Sequence, residues 1–363
     1  MGSNRVFILG AGASKGAGLP LRDEFFNYES GPIRWVMDKN EERNIESLRR
    51  FLYCIKKNIS VEELPDFEKV WDKVLDLEKP RRDYFEKILK DILVRRIIHS
   101  MENYFLSGEN ERMERHKKCM RKFLKMVDEH KDTIITLNYD TIVEETYGKD
   151  NFWYGKDIFL NWSKDKMLSN APEKGDKIKL FKLHGSVNWF YCSKCKQVKY
   201  LRISELDEPY VAGLFFCFKC NSSYRFCITH TVFEESKLKE NGGIFPPVEV
   251  VVLPMNKEKY DEKHKLVVNE VWDSAKKELE NANEITIIGY ASIDIDKNVR
   301  DLVINAIQNN KNKDTLKIEV VCPDQNGTIC KKYEDIFHKI DKKIAYRDET
   351  FECFVRMNCL DVY

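Results

Sequence analysis

The chain has 363 residues, a length that predicts about two domains. Lys+Arg total 61 and Asp+Glu 60, so no whole-chain field points to a nucleic acid or a membrane surface. Apolar runs such as 248–253 and 285–288 fall far short of the ~20 residues that span a bilayer.

The first β-type run, 6–9, starts too close to the N-terminus to leave room for a secretory leader, so a cytoplasmic protein is expected. The reducing cytosol then requires a reason other than disulfides for the 11 cysteines. The run ends in Gly10-Ala11-Gly12-Ala13-Ser14, the strand-to-glycine-turn opening of a nucleotide-binding α/β fold. Lys15 breaks the Gly-x-Gly-x-x-Gly spacing, which disfavours an ordinary dehydrogenase. Helical periodicity follows at 45–55, 67–77, 84–104 and 116–127, with Pro80 expected to separate two helices. Residues 22–130 are therefore read as a helical insertion beside the sheet.

Further strands are expected at 133–137, 178–183, 248–253, 284–288 and 316–321, and helices at 263–280 and 297–308. The alternation implies a Rossmann-like parallel sheet formed by 1–21, 131–189 and 245–363. Four strands end in polar motifs: the glycine turn, Asn138-Tyr139-Asp140, His184-Gly185-Ser186 and Gly289-Tyr290. Ligands of open α/β sheets bind beyond the carboxyl ends of the strands, so these motifs are expected to meet in one crevice. Capping of a turn by Asp140 is the plainer alternative for that residue.

Cys192-x-x-Cys195 and Cys217-x-x-Cys220 are separated by 21 residues. Two such pairs can supply four thiolates to a tetrahedral zinc ion. Four protein ligands leave no open position, so this zinc would be structural and would organise a small module at 190–244.

Together, and in this order, these motifs resemble the sirtuin family. Gly10-Ala11-Gly12-Ala13-Ser14 with Gly18-Leu19-Pro20 is similar to its NAD-binding loop. Thr136-Leu137-Asn138-Tyr139-Asp140 is similar to its Thr-Gln-Asn-Ile-Asp motif, and Leu183-His184-Gly185-Ser186 to its catalytic His-Gly. The resemblance implies that Gly10, Ala11, Gly12, Ser14 and Arg22 hold NAD. It implies that Asn138 places the attacking group, that His184 is the general base, and that Asp140 orients Asn138. A histidine suits that role because it titrates near neutral pH.

Gly289-Tyr290-Ala291-Ser292-Ile293-Asp294-Ile295-Asp296 with Arg300 is similar to a segment of bacterial sirtuin-like proteins of antiviral defence. The stretch 250–254 and the residues from Trp272 to Leu279 are similar to that group too. This adds Gly289, Ser292 and Asp296 to the implied NAD contacts, although Ala291 stands where a serine is usual. Residues 247–254 lack the Phe-Gly-Glu of sirtuin deacetylases. The resemblance thus implies hydrolysis of NAD to nicotinamide and ADP-ribose, as an antiphage effector that depletes NAD. The alternatives are an NAD-dependent lysine deacylase and a non-catalytic NAD or ADP-ribose sensor. The implied partners are copies of the chain and an ATPase or nuclease subunit; a membrane or direct nucleic-acid contact is not expected.

Overall fold

The computed structural model describes residues 4–24, 67–106, 110–148, 151–155, 159–161, 177–192, 194, 197–200, 213–217, 222–226, 249–253 and 262–359. The helical pattern at 45–55 and the cysteines Cys195 and Cys220 lie outside them.

The centre is a parallel sheet of seven strands. Strand β1 (Arg5–Leu9) is buried along most of its length, as its run of Val-Phe-Ile-Leu requires of a strand covered on both faces. From β1 the chain builds outward on one side through β2 (Thr133–Thr136) and β5 (Ile178–Lys182), with β3 (Phe152–Trp153) at the edge. It then returns to the other side of β1 through β11 (Glu284–Ile288), β12 (Lys317–Val321) and β13 (Ala345–Arg347). Leu9 pairs with Thr136 on one side and Ile288 on the other, so the order reverses at β1. That reversal opens a crevice above β1 and β11, the usual ligand site of such sheets.

A second sheet has the order β10-β6-β7-β4, from β4 (Phe159–Asn161), β6 (Gly185–Cys192), β7 (Gln197–Tyr200) and β10 (Glu249–Val252). The run 248–253 thus forms a strand, but it pairs antiparallel with β6 and not with the parallel sheet. A two-stranded hairpin joins β8 (Gly213–Cys217) to β9 (Ser222–Phe226).

Helix α1 (Phe67–Leu75) buries Phe67, Val70, Trp71 and Val74, one face at helical spacing. Helix α2 (Lys79–Leu106) follows. Pro80 is its second residue, where the missing N–H costs nothing, so the break falls just before the proline. Helix α3 (Glu111–His130) is capped by Asn110, whose side chain accepts from Arg112 N and Met113 N. It buries His116, Cys119, Met120, Phe123, Leu124 and Val127. Phe123 packs edge-on against Phe7 of β1, with ring centroids 5.1 Å apart. Residues 111–130, read from sequence as part of an insertion, therefore cover the central strand directly.

The remaining helices are α4 (Ile142–Tyr147), α5 (Glu262–Asn281), α6 (Lys297–Gln308), α7 (Thr328–His338) and α8 (Phe351–Asn358). Asp296 caps α6, its Oδ1 accepting from Val299 N at 3.0 Å. No helix among the described residues is long and apolar enough to cross a membrane.

Candidate active site

The glycine turn is a 3-10 helix over Ala11–Ala17, closed by Gly18 in the left-handed region. Its glycines are required chiefly by backbone packing. A Cβ on Gly12 would lie 2.7 Å from Gly289 Cα, and one on Gly10 would lie 2.7 Å from Tyr290 Cα. Gly289 has φ +65° and receives a hydrogen bond on its carbonyl from Gly12 N at 2.8 Å. The loops after β1 and β11 thus interlock, which only residues without side chains allow.

Above this junction lies a cavity of about 880 Å³. Its wall includes Ala11, Gly12, Ser14, Arg22, Asn138, Asp140, His184, Gly289 and Ser292, so the four strand-end motifs do converge. Gly10 and Asp296 are not on that wall. Gly10 sits behind it against Tyr290, and Asp296 is buried against His184.

Ser14, Asn138 and Asp140 form one network. Asn138 Nδ2 donates to Gly10 O and to Ser14 Oγ, both at 3.0 Å. Ser14 Oγ donates to Asp140 Oδ2 at 2.8 Å. Asp140 Oδ1 accepts from Ile142 N at 3.0 Å, so this carboxylate holds the first backbone N–H of α4 and anchors Ser14 together. Thr136 Oγ1 accepts from Asn138 N and donates to Leu9 O, tying the end of β2 to the end of β1.

Lys182 supports this network from below. Its Nζ donates to the carbonyl of Asp140 and to Glu144 Oε1, and the Lys182–Glu144 pair is 1% exposed on both sides. Burial raises the Glu144 carboxyl pKa, with Lys182 opposing. Lys182→Met should cost roughly 3–5 kcal/mol in denaturant unfolding, because it strands a buried carboxylate. Adding Glu144→Leu should recover most of that loss without restoring the clamp on the Asp140 carbonyl.

His184 is 2% exposed, and its Nε2 lies 3.0 Å from Oδ2 of the fully buried Asp296. Its Nδ1 is buried without a hydrogen-bond partner. Burial alone would lower the imidazole pKa; the hydrogen bond and charge of Asp296, with Glu68, outweigh it and hold the pKa above its ordinary value. With Asp296 Oδ2 as acceptor, the proton is fixed on Nε2 and Nδ1 is left as the basic nitrogen. Trp272 Nε1 donates to Leu183 O at 2.9 Å and holds the backbone beside His184.

Sequence reasoning missed two contributors to the site. Helices α1 and α2 supply Phe67, Glu68, Leu93 and Ile97 to the cavity wall. His116 of α3 is fully buried, with Nε2 2.8 Å from Ala13 O and Nδ1 2.8 Å from Tyr104 OH. Burial lowers its pKa, so a neutral ring pins the glycine turn from behind. A histidine on the apolar stripe of α3, in step with Cys119 and Phe123, was the available signal.

Of the expected zinc ligands, Cys192 is buried at the end of β6, in register with Gln197 of β7. Cys217 ends β8, in register with Ser222 of β9. Their partners Cys195 and Cys220 lie outside the described residues. Among the described residues no cluster of three or more His, Cys, Asp or Glu side chains that could hold a metal is present.

Residues 132–227 match the SIR2-like domain. The matched segment carries Asn138, Asp140, His184 and both cysteine pairs; the glycine turn and 289–300 lie outside it. No curated protein matches the chain by sequence. Among solved structures, one concerned with the structural basis of sirtuin substrate affinity matches at 13% identity and a TM-score of 0.44, over 98% of this chain and 92% of the other. A Sir2 structure with an inhibitor, 2'-O-acetyl-ADP-ribose and a deacetylated p53 peptide matches at 12% identity and a TM-score of 0.39, over 98% and 91%.

Proposed function

We propose that this chain hydrolyses the N-glycosidic bond of NAD, releasing nicotinamide and ADP-ribose. The observation that carries the reading is the junction of Ser14, Asn138, Asp140 and His184 on one cavity wall at the switch point of the sheet. The cavity volume of about 880 Å³ falls within the range of ligand-binding clefts. Arg22 and Arg112 on its wall would supply positive charge toward the diphosphate, and Asn138 and His184, on the same wall, would meet the nicotinamide ribose.

The bond from ribose C1' to the pyridinium nitrogen breaks with its electron pair passing to nicotinamide, which leaves neutral. An oxocarbenium-like ribose remains. Asn138, with Nδ2 committed to Gly10 and Ser14, offers Oδ1 to place a water. The water oxygen bonds to C1', and His184 Nδ1 takes its proton. Asp296 stabilises the imidazolium that results, as an acid partner does in other histidine bases.

Four cysteines, Cys192, Cys195, Cys217 and Cys220, would hold a structural zinc that braces the two hairpins. Purified protein should carry about one zinc by atomic absorption, the ratio a single four-cysteine site gives. Cys192→Ser should lose that zinc and melt earlier, while a His184 variant keeps it.

A deacylase reading has one favourable observation: β10 is the edge of its sheet, where an extended peptide could add as a strand. Against it, Leu253 N donates to His184 O and Leu253 O accepts from Tyr139 OH at 2.7 Å, so backbone groups at that end are already used. Incubation with NAD, with and without an acetylated peptide, separates the two. Nicotinamide release without peptide supports hydrolysis; strict dependence on peptide overturns it. The similarity of 289–300 to sirtuin-like defence proteins further supports a role in depleting NAD during phage infection, restrained by self-assembly or by an ATPase or nuclease partner.

A further inference from the structure

Between Arg115 and Lys125, every exposed residue of α3 is a cation: Arg115, Lys118, Arg121, Lys122 and Lys125. The residues between them turn inward, among them Cys119, Met120, Phe123 and Leu124. Arg356 stands exposed on α8, which packs beside α3. The exposed faces of α7, with Lys331, Glu334 and Asp335, and of α5, with Asp273, Lys276 and Lys277, mix signs, and α3 itself carries exposed Glu111 and Glu129 outside this stretch. The net charge of +1 conceals this local excess. Arg115 and Arg356 also line the rim of the cavity, so the cationic face runs up to its mouth.

We propose that this face of α3 docks the sugar-phosphate backbone of a nucleic acid beside the NAD cavity. Neighbouring cations of the row lie at most three residues apart, which is no more than about 4.5 Å along the axis, over a span of about 15 Å. Duplex DNA carries one charge per roughly 1.7 Å of its axis, so each cation on that span can find a phosphate. A protein partner fits less well. Protein interfaces are depleted in lysine and centre on apolar or aromatic anchors, whereas Lys118, Lys122 and Lys125 are three of the five exposed positions and none is apolar. Phosphate contacts need charge alone and carry no sequence preference. The balance of the whole chain argued against such a partner; the distribution on α3 argues for it.

The test is fluorescence anisotropy of the full chain with a labelled duplex of about 20 base pairs, across roughly 50–200 mM salt. Log affinity should fall linearly with log salt at a slope near −4, the value for about four or five neutralised phosphates. Lys118→Glu, Arg121→Glu, Lys122→Glu and Lys125→Glu together should weaken binding about 100-fold and flatten the slope. Lys276→Glu with Lys277→Glu on α5 should leave binding unchanged. Thermal melting checks the fold of each variant independently of any NAD turnover. Should the fourfold variant not fold, Lys118→Gln with Lys122→Gln and Lys125→Gln should still weaken binding about 10-fold. Failure of the native chain to bind duplex at low salt, or native affinity in the charge variants, overturns the proposal. Tighter binding of polyglutamate than of duplex also overturns it and assigns the face to an acidic protein.

Discussion

His184→Gln should lower NAD turnover by about 10²–10⁴-fold, the contribution of a positioned base, while the melting temperature stays near that of the native protein. Glutamine can donate its amide hydrogen to Asp296 but cannot accept a proton from water at neutral pH. The choice of glutamine follows from the burial of both partners. Asp296 has no exposed side-chain surface, and its Oδ2 meets His184 Nε2. His184→Ala would remove that donor and leave a buried carboxylate oxygen unsatisfied. It should lose the same activity and also about 1–3 kcal/mol of stability. Comparing the two variants in a nicotinamide-release assay and in a thermal melt separates chemistry from support. Native turnover in His184→Gln would remove His184 from the mechanism.

The central sheet was legible because its strands are short apolar runs bounded by glycine or polar turns. Helix 297–308 was placed correctly because Asp296 supplies a cap and the buried positions Val299, Val303 and Ile307 keep helical spacing. Strand β6 was missed. All eight of its residues are buried, so Gly185–Cys192 shows no alternation of polar and apolar positions to mark a strand. The C-terminal elements α7, β13 and α8 were also not assigned. Convergence at the cavity was legible from one rule, that ligands bind beyond the strand ends. The pairings inside the site were not. His184 and Asp296 are 112 residues apart, and His116 and Ala13 are 103 apart; only the folded sheet and α3 bring them together. Resemblance gave Asp296 a contact with NAD, whereas the structure uses one oxygen to cap α6 and the other on His184.

Asp296→Asn should lower the turnover plateau by about 10²-fold, the low end for a positioned base, and move the pH profile toward acid. In the proposed mechanism the neutral imidazole is the working form, so activity of the native protein should rise with pH and level off above the His184 pKa. That pKa lies above the ordinary histidine value of about 6.5. Burial pushes it down, and the hydrogen bond and charge of Asp296 are the larger part of what pushes it up. An uncharged asparagine leaves burial to dominate, so the inflection should fall below its native position. The gap between variant and native activity should therefore narrow at acidic pH. The same linkage predicts stability with the sign fixed by the raised pKa. The charged His184–Asp296 pair stabilises the fold below the ordinary histidine value, and this contribution is lost as pH rises through the folded pKa. Asp296→Asn should flatten that dependence in thermal melts. A merely structural role for Asp296 would lower the plateau without moving the inflection, and that outcome would separate it from His184.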